Sequence, residues 1–230
     1  MAKEEKGPEK LKFHVFRDER FIDLNLYQFG WERTAPTHSY GPYARNHYLF
    51  HYIIEGRGQL MANEQVYTVT PGHGFLVVPG QVTTYRSDPA APWVYTWIEF
   101  DGLRAHESLH LAGISGAKPI YTARNPDAGK MVEEEMMYIV NHGNASPIHL
   151  IAHGFLFLDK LVQCSAGRRS GGERRVRDFY IKEALIGEIA SLVSYDNQLH
   201  FSRAFKNVHG VSPREYRSTH LIDPEKPDKK

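Results

Sequence analysis

Five residues near the C-terminus, Gln198, His200, Ser202, Arg203 and Lys206, have the side chains that read nucleic acid. Gln bonds adenine bidentately, and His and Ser are smaller readers. Arg contacts guanine or phosphate, and Lys holds phosphate, which positions a protein without specifying sequence. The thirteen histidines raise a second chemistry, because imidazoles with carboxylates bind Fe, Mn and Zn. His47 and His51 are four apart in a β-forming run, so both face one side. An adjacent H-x-H pair is missing. No G-x-S-x-G, G-x-x-x-x-G-K or Cys/His cluster occurs, so nucleophilic and phosphoryl chemistry have no support.

The reading residues need a helix to present them. Ile186, Ile189, Ala190 and Val193 fall at spacings of three and four and predict one amphipathic helix. Tyr195-Asp196-Asn197 interrupts the pattern, and Asp or Asn caps a new helix by accepting from free backbone N–H groups. From Gln198 to Val208, the residues Leu199, Phe201 or Ala204, Phe205 and Val208 are expected in its core, and Gly210 ends it. Two short helices joined by a turn form a helix-turn-helix, with the second as reader.

Composition agrees with a DNA partner at one end. The chain is +1 overall, yet residues 166–217 carry ten Lys/Arg against six Asp/Glu, which leaves the rest net acidic. At 230 residues and 41% hydrophobic content, one large or two small domains can bury a core. No apolar run approaches the roughly 18–20 residues that cross a bilayer, and MAKEEKGPEK lacks a signal-peptide core. A single cysteine, Cys164, fits a reducing cytoplasm. No membrane partner is expected.

Upstream, residues 1–10 read as a leader. From Leu11 to Gly102 short apolar runs alternate with turn signals, which suggests an all-β barrel or sandwich. Asn63-Glu64 marks a hairpin. Beyond Asp101-Gly102 the period changes. Ala128–Asn144 carries Val132, Met136, Ile139 and Val140, and Ser146–Gln163 carries Ile151, Phe155, Leu158 and Val162, the marks of two amphipathic helices. AGRRSGGER, residues 166–174, is polar and without period and reads as a linker.

Two resemblances follow. IGEIASLVSYDNQLHFSRAFKNVHGVSPREYR, with its FSRAFK core and its Gly210, Ser212, Pro213, Tyr216, Arg217 ending, resembles the second helix-turn-helix of AraC-family bacterial transcription regulators. EGRG, a hairpin, PGHGFLVVPG and an aromatic closing strand resemble the cupin jelly-roll barrel that binds the effector in the same family. The resemblance implies an α+β chain: a cupin-like effector-binding and dimerisation domain over 11–165, a linker over 166–174, and a partial all-α DNA-binding domain over 175–220. RVRDFYIKEAL, up to Leu185, is similar to the start of the family's first helix-turn-helix, yet Ile186 already belongs to the second. Roughly fifty residues of the family pattern are absent there, by deletion or by a gap closed up in the sequence.

The resemblance also implies a pocket. Sugar recognition uses a flat aromatic face against C–H groups and a few polar groups for hydroxyls. Tyr85 and Trp97 match positions that hold sugar in a family member, and Tyr95 stands where that member has histidine. Trp93, Tyr95 and Trp97 alternate along one strand and should face one way. Arg45 matches a cationic hydroxyl donor after a shift of several residues. These aromatics could equally be barrel core. Cupin enzymes place histidine after Pro79-Gly80, where this chain has Gln81, Val82, Thr83 and Thr84, so neither metal nor other cofactor is expected. The implied function is a non-enzymatic regulator that reads double-stranded DNA through Gln198, His200, Ser202, Arg203, Lys206 and Arg217. A small-molecule effector, a sugar, controls it, in a cytoplasmic homodimer. The other reading is a cupin enzyme or sugar-binding protein without DNA-binding activity.

Overall fold

A computed structural model describes residues 10–16, 21, 23–169, 186, 189, 190 and 197–220. Residues 1–9 of the leader, the second half of the expected linker, Leu185 at the Leu185–Ile186 junction and most of the first expected helix lie outside the described residues. The chain divides into two units, residues 1–170 and 171–230.

The first unit is a two-sheet β structure with helices on one face. Among the described residues ten strands run β1 (Leu11–Val15), β2 (Asn25–Arg33), β3 (Ser39–Ala44), β4 (Tyr48–Glu55), β5 (Gly58–Ala62), β6 (Gln65–Val69), β7 (His73–Val77), β8 (Val82–Ser87), β9 (Val94–Asp101) and β10 (Ile120–Thr122). The larger sheet has the order β1-β2-β9-β4-β7-β10 and the smaller β3-β8-β5-β6. All these pairings are antiparallel. The β5–β6 hairpin turns at Asn63 and Glu64, both at positive φ, as the sequence pattern predicts.

Three helices cover the larger sheet: α1 (Leu103–Leu111), α2 (Pro126–Asn141) and α3 (Pro147–Cys164). The Asn125 side chain caps α2 by accepting from the Ala128 N–H at 2.8 Å. Val132, Met136, Ile139 and Val140 of α2 pack with Leu26, Phe50, Tyr52, Ile98 and Phe100 on the sheet's outer face. The inner face meets the smaller sheet through Leu49, Ile53, Leu60, Phe75, Tyr85 and Trp93. The central strands are therefore buried on both faces, which is why Tyr48–Ile54 reads as a dense apolar run instead of an alternating one.

α3 turns differently from the expected face. Leu150, Ile151, Phe157, Leu158 and Leu161 are buried, whereas Phe155 is 39% exposed and Val162 only packs at the margin. At about 100° per residue, Phe155 lies roughly 120° from Leu161, outside the buried stripe. The start of the expected linker is laid against this unit: the N–H groups of Ala166 and Arg169 donate to the carbonyls of Thr122 and Leu111.

The second unit contains α4 (Gln198–His209) and α5 (Pro213–His220). Asn197 caps α4 by accepting from the Leu199 N–H, and Gly210 closes it at φ 76. Ser212 and Glu215 form a capping box at α5: the Ser212 hydroxyl accepts from the Glu215 N–H and the Glu215 carboxylate from the Ser212 N–H. Phe201 and Phe205 pack at 5.7 Å, and Phe205 meets Tyr216 at 5.4 Å. Two expected core residues of α4 are exposed, Leu199 at 66% and Val208 at 78%. Leu199 sits about 200° around the helix from Phe201, and Val208 lies two turns further along the axis.

Candidate functional site

The inner face of the larger sheet carries rows of residues set by strand register. The middle row crosses all six strands as Phe13, Gly30, Trp97, His51, Phe75 and Ile120. On one side of it Glu32, Tyr95 and Ile53 are in register, and on the other Gln28, Glu99 and Leu49. Trp93, Tyr95 and Trp97 share this face, because strand residues two apart point the same way.

Aromatic rings surround His51. Phe75 stacks on it at 4.5 Å, Tyr85 and Tyr95 lie 4.9 Å away, and Trp97 lies at 6.3 Å. Tyr85 comes from the opposite sheet and stacks on Tyr40 at 5.3 Å. Trp97 is only half-buried, and its indole leans over Gly30 toward Phe13. Trp93 is different. It is fully buried, and its indole N–H is spent on the Val69 carbonyl at 3.2 Å, so it forms the barrel's packed floor.

Arg45 reaches this wall from the loop between β3 and β4. Its guanidinium lies 5.1 Å from the Tyr40 ring centre and 5.9 Å from that of Tyr43. It donates to Glu99 at 3.1 Å. Glu99 also pairs with His47 at 3.2 Å and accepts from the Gln28 amide. Burial would raise the Glu99 carboxyl, but the His47 and Gln28 hydrogen bonds and the Arg45 charge outweigh it and hold it below the usual carboxylate value. On the other side of Trp97, Tyr95 donates to Glu32 at 3.0 Å, with His38 3.7 Å from the same carboxylate. Burial pushes the Tyr85 and Tyr95 phenols up, so both stay neutral hydrogen-bonding groups.

Four of the five residues expected in a ligand site, Arg45, Tyr85, Tyr95 and Trp97, thus meet on one wall. Glu99, Glu32, Gln28 and Tyr40 were not foreseen. The signal for Glu99 was present: in Y-T-W-I-E it stands two residues after Trp97, at the next inward position. His47 and His51 serve different partners, and among the described residues no group of three His, Cys, Asp or Glu side chains could hold a metal. A separate open cleft of about 750 Å³ lies on the outside of the smaller sheet, where Arg86 is taken up by Gln59 and Arg57 by Asp88.

In the second unit α4 carries the expected readers. At about 100° per residue, Gln198, Ser202 and Lys206 span about 80°, and Arg203 and His200 continue the arc away from Phe201. Gln198, His200, Arg203 and Lys206 are exposed and Ser202 is half-buried. The Arg217 side chain lies outside the described residues. No described helix is long and apolar enough to cross a membrane.

Comparison with known proteins accounts for both units. Residues 25–158 match the AraC-like ligand binding domain, and residues 181–218 match the bacterial regulatory helix-turn-helix proteins of the AraC family. The Msm operon regulatory protein of Streptococcus mutans is 24% identical over 262 residues, covering 85% of this chain and 93% of that one. That aligned length exceeds the share of this chain taking part, so the relative has residues within the span that this chain lacks. The raffinose operon transcriptional regulatory protein RafR of Pediococcus pentosaceus is 35% identical over 91 residues, 38% of this chain and 33% of that one. The lactose operon transcription activator of Staphylococcus xylosus is 21% identical over 210 residues, 86% of this chain and 75% of that one. The chain belongs to the AraC family of bacterial transcription regulators: a mostly-β cupin-like domain precedes a helical DNA-binding region, and the protein is a DNA-binding regulator, not an enzyme.

Proposed function

We propose that the barrel binds a sugar and that this binding controls how the DNA-reading unit is used. The observation that carries the reading is the wall itself: a half-open Trp97 face between two carboxylates, with Arg45 at its edge. A pyranose presents C–H groups to such a ring and hydroxyls to the flanking donors and acceptors. Tyr85, Tyr95, Trp97 and Arg45 make the contacts, and Trp93 supports them from below. The raffinose and lactose operon regulators among its relatives agree with a carbohydrate effector.

α4 then enters the major groove of double-stranded DNA, with Gln198, His200, Ser202 and Arg203 toward base edges and Lys206 and Arg217 toward phosphates. DNA places the protein in the cytoplasm. Two protomers pair through α3, whose Ile148, Phe155 and Leu156 form an exposed apolar stripe at helical spacing. Effector control is a difference in sugar affinity between two arrangements of the dimer.

The test is thermal unfolding of the full chain with raffinose, lactose, melibiose and galactose, because a ligand that binds the native state raises its apparent stability. A rise of several degrees with at least one of them is expected. A flat response across the panel removes the sugar.

A further inference from the structure

The wall contains one group that its packing does not explain. His51 is 2% exposed and sits among Phe75, Tyr85, Tyr95 and Trp97. Its Nδ1 is sealed from solvent and has no hydrogen-bond partner among the described residues. A buried polar atom without a partner is costly, whereas a phenylalanine would fill the same slot among aromatic rings at no such cost. Position 51 is therefore poorly served by histidine if stability is its only task. Groups that violate local packing logic in this way concentrate at functional sites.

The surroundings say what the nitrogen is for. His51 is the register partner of Trp97 and lies beside the half-open indole in the same row. Burial, with the Arg45 and His38 charges, holds the ring well below its ordinary pKa, so it is a neutral imidazole with one donor and one acceptor nitrogen. The carboxylates of the wall already have partners: Arg45 pairs with Glu99, His47 hydrogen-bonds the same carboxylate, and Tyr95 donates to Glu32. A ligand bringing its own carboxylate or phosphate would have to take Arg45 from Glu99 and leave that carboxylate short of a partner.

We propose that His51 is a specificity-determining residue of the effector site: when the Tyr85 and Tyr95 rings that seal it shift to admit the ligand, its Nδ1 hydrogen-bonds a hydroxyl of an uncharged carbohydrate stacked on Trp97. The proposal rests on the barrel being the sugar site and adds the residue that reads one hydroxyl and the charge class that the site accepts. Such a contact gives strong discrimination, because an analogue lacking the hydroxyl leaves the nitrogen unpaired again.

Two variants of the full chain test it, with thermal unfolding and calorimetric titration of raffinose, lactose, melibiose and galactose, and of galacturonate and galactose 1-phosphate as charged counterparts. His51→Phe removes the nitrogen and keeps the ring stack. His51→Asn keeps an amide near the Nδ1 position. The expected result is a His51→Phe protein that unfolds, without sugar, at the wild-type temperature or above it. It binds the sugar that stabilises wild type at least tenfold more weakly. His51→Asn should stay within a few-fold of wild type, and the charged sugars should bind at least tenfold more weakly than their neutral counterparts. If His51→Phe keeps wild-type affinity, or loses several degrees without any sugar, His51 is a packing residue and the proposal is overturned while the sugar site stands. Tighter binding of the charged sugars overturns the charge class. If no sugar shifts wild type, the sugar reading fails and takes this proposal with it.

Discussion

Gly30 stands directly opposite Trp97 in the β2–β9 ladder, and a Cβ on it would come within 2.5 Å of the indole ring. The bare backbone at Gly30 is what lets the ring lie flat across the sheet toward Phe13. Gly30→Ala is therefore expected to push Trp97 off the wall. Overpacking of this kind costs about 1–3 kcal/mol. Thermal unfolding should show that loss, and sugar titration should show affinity at least tenfold lower. Retained affinity would mean that Trp97 is not the stacking platform.

The buried imidazole of His51 makes stability depend on pH. Its folded pKa is lowered, so below the ordinary value of 6.5 the unfolded chain takes up a proton that the native state refuses. This contribution is fully present above pH 6.5 and declines as pH falls, by at most about 1.4 kcal/mol per unit. Glu99 adds a second decline below its ordinary 4.5, because its native carboxyl is held low. Urea unfolding of wild type and His51→Phe between pH 5 and 8 checks the first effect. The wild-type curve should fall below pH 6.5, and the variant's should be flatter.

Arg203 is exposed on the polar arc of α4, and Phe201 and Phe205 on the other side hold the unit together. Arg203→Ala should weaken operator binding by about 1–3 kcal/mol, tenfold or more in a gel-shift titration. Sugar-induced stabilisation should be unchanged. Equal operator affinity would remove Arg203 from the reading set.

Ile148 and Phe155 are 66% and 39% exposed on α3, on the side away from the sheet. Charges there oppose the proposed pairing of two protomers and leave the α3 core, Leu150, Leu158 and Leu161, untouched. Ile148→Asp with Phe155→Arg should convert a dimer to a monomer in light scattering, with the unfolding temperature of the barrel nearly unchanged. A wild-type protein that is already monomeric would rule out pairing through this face.

Sequence alone determined the parts whose pattern is local. The change from short β-forming runs to periods of three and four separated strands from helices, and the Asn197 and Gly210 boundaries of α4 followed from capping chemistry. Trp93, Tyr95 and Trp97 shared a face because strand geometry leaves no other choice. The local pattern misled where burial depends on what lies opposite. Phe155 fits the period of α3 yet faces outward, and Leu199 fits the polar–apolar rhythm of α4 yet lies far from Phe201.

The chemistry of the site was decided by tertiary structure. Glu99, Gln28, Arg45 and His47 are brought together by the β2–β9 ladder and the loop before β4, with partners up to 71 positions apart in sequence. Periodicity says which way a side chain points along its own strand, and only register between strands says what it meets. That is why thirteen histidines look alike in the sequence. One of them, set opposite Trp97 by register and closed in by Phe75 and Tyr85, is left with a nitrogen that nothing described in the protein satisfies.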